Sequence, residues 1–349
     1  MDLYAAIADL PVTIESEART RHRADTTSGF ERVTTEIALS GDGETGRGED
    51  VAYETADHEA FADAPPVGIE GEWTIDSLSN RLAELDLFET KPPEREGFRA
   101  YRRWAYESAA LDLALRQADT DLASVLDRAL DPVRFVVSTR LGDPPSVDRV
   151  RRLLEADPDL AFKLDPTPEW AADLVEALTE TGAVRVLDLK GWYEGTDVDV
   201  PADPALYDRV LDGFPEAVIE DAAFTDDTRD RLASAADRLS FDYPVTSLES
   251  LRSLPVDPGW CNVKPSRFGS IRSLFETVEY CRENGIRLYG GGQFELGVGR
   301  GQIQILASLL YPDGPNDVAP RVFNDPATEP PYPSSPIAID DLEGFRRSR

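Results

Sequence analysis

The chain has 349 residues, too many for one small core and enough for a barrel of about 200–250 residues plus a further domain. Its formal net charge of -31 repels nucleic-acid phosphates and anionic lipid, which excludes both as expected partners. No stretch approaches the ~18 unbroken apolar residues of a membrane span, and no basic flank precedes an apolar core at the N-terminus, so a cytoplasmic protein is expected.

The opening third reads as an α+β unit. Residues Arg32 to Leu39 alternate as a strand does, Gly41 to Gly48 supply turn chemistry, and Val51 to Thr55 read as a returning strand. From Tyr101 to Leu126, apolar residues such as Trp104, Ala109, Leu111, Leu113 and Leu122 recur with helical spacing. From Val133 onward, short apolar runs alternate with amphipathic stretches, the pattern of repeated βα units around a parallel sheet. The runs are Phe135 to Ser138, Leu160 to Leu164, Val184 to Leu189, Ala217 to Glu220, Arg238 to Asp242, Trp260 to Val263 and Ile286 to Tyr289, strands one to seven. An eighth is expected after Pro312. The tail from Phe323 to Ser335 is rich in Pro and polar residues and reads as a wrap without regular structure.

The acids are spread along the whole chain, and the basic residues are nearly all Arg, with Lys91, Lys163, Lys190 and Lys264 the only lysines. Such a surface suits high salt, and a halophilic source is expected. Cys261 and Cys281 are too few for a disulfide framework and stand in no metal-binding pattern, so they read as buried free thiols. The two histidines, His22 and His58, both precede the expected barrel, which leaves it without a histidine catalyst.

Polar residues gather where the strands end, the face on which catalytic groups converge in a barrel. Strand two ends in Lys163-Leu164-Asp165, strand three in Asp188-Leu189-Lys190, strand four in Glu220-Asp221, strand five in Asp242 and strand six in Lys264. Asp188, Glu220 and Asp242 come from consecutive strands, so their carboxylates can meet near the mouth. Three anions together repel strongly at low dielectric unless a cation joins them. Oxygen-only ligation favours Mg2+, with Mn2+ as a substitute. Taken singly, each acid reads equally well as a loop or cap residue. Three of the four lysines stand at strand ends. Lys changes protonation state when buried and Arg effectively does not, which makes Lys264, Lys163 and Lys190 candidates for proton transfer. Salt bridging to the adjacent acids is the other reading.

Gly290 to Gly292 and Gly297 to Gly301 follow strand seven, but their spacing is not that of a dinucleotide-binding loop. Between them, Gln293 and Glu295 read as substrate contacts, as groups that orient Lys264, or as support for the rim. Trp192 and Tyr193 follow strand three and either wall a pocket or pack in the core.

The run Trp104 to Leu122, with Glu107-Ser108-Ala109-Ala110-Leu111-Asp112, resembles the helix by which enolase-superfamily capping domains lead into their barrel. The ordered endings Lys163, Asp188, Glu220, Asp242 and Lys264-Pro265-Ser266-Arg267-Phe268-Gly269 resemble the muconate-lactonizing branch, as does Gly290 to Gly301. The resemblance covers roughly residues 100 to 320, more weakly what precedes them. It implies an α/β fold, a (β/α) barrel of enolase type with an N-terminal α+β capping domain. It further implies that Asp188, Glu220 and Asp242 hold Mg2+, which stabilises the enolate formed when a base takes the proton α to a carboxylate, with Lys264 on one side of the substrate.

Two positions depart from that pattern. The family usually has two lysines separated by one residue on strand two; Lys163 matches the first and Asp165 replaces the second, commonly the acid/base. The position of Lys190 is usually Asn, and strand period two points it toward the mouth with Asp188. The relocated amine either supplies the missing lysine or neutralises Asp165, which is otherwise a substrate contact. The expected organisation is a capping domain over residues 1–130, a barrel over 131–322 and a C-terminal wrap over 323–349 that completes the capping domain. The expected function is a lyase, epimerase or cycloisomerase acting on a small carboxylate, comparable to the o-succinylbenzoate synthase and N-acylamino-acid racemase group, working as a homo-oligomer. The alternative is a barrel kept as a noncatalytic binding or structural protein.

Overall fold

The computed structural model describes residues 2–196 and 198–348. Strands Val137–Thr139, Phe162–Leu164, Val184–Asp188, Val218–Glu220, Leu239–Phe241, Trp260–Val263 and Arg287–Gly290 pair in sequence order as one seven-stranded parallel sheet. Each is buried along nearly its whole length and is mostly apolar, with single polar residues such as Lys163, Ser240 and Asn262 inside it. Helices return the chain between strands, and their starts are written locally. Asp203 accepts the N–H groups of Ala205 (2.9 Å) and Leu206 (3.0 Å) ahead of Pro204–Gly213. Ser247 and Ser250 cap Leu248–Arg252 reciprocally.

The eighth stave shrinks to two residues. Asn316 bridges Phe135 next to strand one, and Asp317 bridges Gly291 next to strand seven, which closes the ring after Pro312 as expected. Pro312, Pro315 and Pro320 cannot donate to a ladder, so no longer strand forms there. The Asn316 side chain compensates: its Oδ1 accepts Gly290 N–H at 2.6 Å, and its Nδ2 donates to the carbonyls of Arg134 and Gly314 at 2.9 Å.

The N-terminal domain is an antiparallel sheet, Ser16–Asp25, Glu31–Gly41 and Glu44–Asp50, under the long helix Phe98–Gln117. The returning strand therefore occupies Glu44–Asp50, the stretch expected to be turn, and Val51–Thr55 is not a strand. Only Asp42 and Gly43 make the turn, both at positive φ (51° and 81°). The other glycines serve packing. A Cβ at Gly46 would lie 2.2 Å from Ala109 O, and one at Gly48 2.1 Å from Ala105 O, so the helix rests directly on bare strand backbone.

The two domains share one apolar core. Glu49 reaches from the capping sheet to accept N–H groups of Leu296 (2.7 Å), Gly297 (2.9 Å) and Gly299 (2.8 Å) in the loop after strand seven. The C-terminal segment crosses the barrel, with Ser335 Oγ accepting Phe135 N–H at 2.9 Å, and ends on the long helix, where Asp112 meets Arg346 at 2.6 Å. Apart from the short turn Arg321–Asn324, residues 323–335 have no regular structure. Among the described residues, no helix is long and apolar enough to cross a membrane.

Candidate active site

The ends of strands two to six converge. Lys163 Nζ donates to Glu220 Oε1 and stands 3.2 Å from Asp188 Oδ2. Lys190 Nζ donates to Asp188 Oδ2 and stands 3.8 Å from Asp165 Oδ1. Lys264 Nζ lies 2.7 Å from Asp242 Oδ2, while Arg267 Nε lies 3.0 Å from Asp242 Oδ1. Strand three ends at Asp188, so Lys190 does not reach the mouth by strand alternation. It turns there through a left-handed conformation (φ 55°), as does Asp221 after strand four (φ 51°). Side chains other than Gly seldom adopt this geometry, and packing holds them in it where their direction matters.

Burial and charge divide the acids into two pairs. Burial pushes Glu220 up to about 8, against the pull of Lys163 and with help from Asp188 and Asp242. Burial likewise raises Asp221 to about 7, with Asp242 and Asp188 adding to it. Asp188 and Asp242 are as deeply buried, yet Lys190 and Lys163 hold the first, and Arg267 and Lys264 the second, below the usual carboxylate range. In the lysines, burial favours the neutral amine, but the acids prevail: Glu220 and Asp188 raise Lys163, Asp165 and Asp188 raise Lys190, and Asp242 raises Lys264.

Several residues at the site carry no signal in the sequence reading. Asn262 Nδ2 donates to Glu220 Oε2 at 2.9 Å, and Tyr289 OH donates to the same oxygen. Asn262 lies inside strand six, whereas Lys264 follows the end of that strand at Val263 and takes the N-cap position of the next helix. Arg267 belongs to the run Lys264 to Gly269, and Tyr193 reads in the sequence as either pocket wall or core. Tyr193 OH in fact donates to Asp242 Oδ2 at 3.0 Å, while Trp192 packs edge-on against Phe241. Asp317 comes from the shortened eighth stave and stands 3.8 Å from Lys163. Gln293 and Glu295 belong to the rim. Gln293 Oε1 accepts Tyr53 OH at 2.8 Å and its Nε2 donates to Tyr101 OH at 3.0 Å, whereas Glu295 accepts Gln293 N–H at 2.6 Å and pairs with Arg300 at 2.9 Å.

The donor set suits a divalent cation. Asp188, Glu220 and Asp221 each present an oxygen within 4.8 Å of the others. Both Asp221 oxygens accept backbone N–H groups, from Asp242 at 2.8 Å and Tyr243 at 2.9 Å, so this side chain positions strand five. Asp242 is not one of these three, and both of its oxygens face cations, Oδ2 Lys264 and Oδ1 Arg267, so as a third ligand it would have to give up one of these pairings. Six acids, Asp165, Asp188, Glu220, Asp221, Asp242 and Asp317, face four cations, Lys163, Lys190, Lys264 and Arg267. With all six ionised the cluster would carry two excess negative charges, which a divalent cation would balance; without one, burial holds Glu220 and Asp221 toward the protonated form.

Two family models match the chain, the domain of unknown function DUF8230 N-terminal domain over residues 5–125 and its C-terminal domain over residues 129–325. The chain belongs to the DUF8230 family. The fold of this DUF8230 chain is the enolase-type fold, and the chain is similar to the muconate-lactonizing branch of that superfamily. The structure of muconate cycloisomerase from Pseudomonas fluorescens matches with a TM-score of 0.68 at 17% identity, covering 97% of this chain and 96% of that one. o-Succinylbenzoate synthase from Bacillus subtilis (strain 168) is 25% identical over 224 residues, spanning 61% of the DUF8230 chain and only 57% of the synthase. N-succinylamino acid racemase from Amycolatopsis sp is 28% identical over 268 residues, 71% of this chain and 70% of the racemase.

Proposed function

We propose that the chain is an enzyme that moves the proton α to the carboxylate of a small substrate, as a lyase, epimerase or cycloisomerase. One observation carries this reading: the ammonium groups of the buried Lys163 and Lys264 and the part-buried Lys190, at the ends of strands two, six and three, meet the carboxylates of Asp188, Glu220 and Asp242 in one cluster. An α-proton of a carboxylate is very weakly acidic, so the barrier falls only where positive charge waits for the charge that develops. Asp188, Glu220 and Asp242 would hold Mg2+ or Mn2+, which when bound supplies part of that charge. Lys264 works from strand six, and Lys163 and Lys190 share the task from strands two and three. The acids set the state of these amines. While Asp242 stays ionised beside it, Lys264 is held as the ammonium and is a proton donor; it becomes a base only after giving up a proton to solvent, which a cation drawing on the Asp242 carboxylate would favour.

Asp165 supports a second reading, a noncatalytic binding barrel, because it puts a carboxylate where the resemblance sets the acid/base lysine. Exchange of substrate α-protons with deuterium oxide, measured across a panel of carboxylates, N-acyl amino acids and dipeptides with Mg2+ present, separates the two. Metal-dependent exchange on one class is expected; none on any class would leave the binding reading. Both cysteines are free and buried, which supports a reducing, cytoplasmic setting.

A further inference from the structure

We infer that a second site, outside the barrel mouth, binds a small molecule through a phosphate or carboxylate group. A cavity of about 560 Å3 lies between the helix Gly299–Leu310 and the C-terminal segment. Arg300, Arg321 and Arg347 line it, with Gln304 and Ser334, and among the described residues no Asp or Glu lines it, although Glu295 pairs with Arg300. The chain as a whole carries 67 acids against 36 basic residues, so a cavity with three cations and no anion runs against its composition.

The three guanidinium groups have capacity to spare. Among the described residues Arg321 and Arg347 form no ion pair, and each donates to a neutral acceptor, Arg321 to Leu296 O and Arg347 to Gln304 Oε1, both at 2.9 Å. Arg300 is only 8% exposed, and its Nε has no hydrogen-bond partner among the described residues, although Nη2 pairs with Glu295. A planar guanidinium fork matches the oxygens of a carboxylate or phosphate, and three around one cavity favour an oxyanion over a neutral ligand. Pro333, Pro336 and Ile337 supply apolar wall for the remainder of the molecule, and the volume suits a small metabolite.

The site adjoins the mouth without being part of it. Arg300 reaches the loop after strand seven, where a Cβ on Gly292 would lie 2.8 Å from its Nη1, and the Glu295 it pairs with also accepts Gln293 N–H. An anion held by Arg300 thus shares a guanidinium with the rim. The inference is independent of the proposed reaction.

The test is calorimetric titration of the full chain with sodium phosphate and, separately, sodium succinate, at fixed KCl and with chelator present. Saturable binding of at least one is expected, with phosphate alone, or succinate alone, telling which group the site prefers. The exposed substitutions Arg321→Gln and Arg347→Gln should each weaken it, and together by about tenfold or more, a loss of ~1.4 kcal/mol. Arg252→Gln, which removes a distant cation stacked on Tyr280, should leave it unchanged. No saturable binding of either anion, or equal binding in the double variant and the wild type, would overturn the inference.

Discussion

Lys190 Nζ stands 3.8 Å from Asp165 Oδ1 across the ends of strands two and three. Relative to the pattern that the chain resembles, strand two has Asp165 in place of its second lysine and strand three has Lys190 in place of an asparagine, so an amine still stands in the cluster, at the end of strand three. Asp165, next to Lys190 and Lys163, is raised by burial and drawn back by both amines. If Lys190 is the relocated acid/base, Lys190→Met should lower α-proton exchange by ~10²–10⁴, and at least as far as Asp165→Asn does. A silent Lys190→Met beside an inactive Asp165→Asn would return the second catalytic group to strand two. Lys264→Met should nearly abolish exchange while Mg2+ titration still shows binding.

The acids make a separate demand. Asp188→Asn, Glu220→Gln and Asp242→Asn each keep an oxygen and lose a charge, so Mg2+ affinity should fall in all three. Asp221, whose oxygens are taken by the backbone N–H groups of Asp242 and Tyr243, is expected to act from behind them, and loss of such a supporting group typically costs 10–100-fold in affinity. Isothermal titration of the four variants ranks them. Asp221→Asn losing more affinity than Asp242→Asn would make Asp221 the third ligand.

The capping domain offers a test of packing alone. At Gly48 an added Cβ would lie 2.1 Å from Ala105 O, which is helix backbone and cannot swing aside. Gly48→Ala should therefore cost about 1–3 kcal/mol, as overpacked cores do. Urea unfolding followed by fluorescence would show it, and a midpoint equal to wild type would mean that helix and strand can part without penalty.

What the sequence displayed follows the range of each interaction. The barrel strands were legible because burial on both faces writes each as a mostly apolar run, against which the few charges at and near the strand ends stand out. The eighth stave was not, since two bridges held by the Asn316 side chain leave no periodic trace. Gly46 and Gly48 misled because a glycine needed for close helix approach looks the same in sequence as one needed for a turn. Within the site, Lys163, Lys190, Lys264 and the three acids stood out as strand endings. Asp317 and Tyr289 did not, because only the closed ring brings strands seven and eight back to strand two and strand four.

Surface charge gives the last prediction. A net charge of -31 held within one folded chain repels itself more strongly than the same charge spread along an unfolded one. Salt shortens the range of that repulsion from about 10 Å at 0.1 M to about 3 Å at 1 M, so the folded state should gain more than the unfolded state as KCl rises. Most Asp and Glu residues lie outside the buried clusters and are open to this screening. The thermal midpoint should climb steadily between about 0.1 M and about 1 M KCl, with the steepest rise at the lower end, where the screening length changes most. Scanning calorimetry at a series of KCl concentrations measures it directly. A midpoint that stayed flat or fell would show that the acidic surface does not limit stability, and the halophilic reading of the composition would go with it.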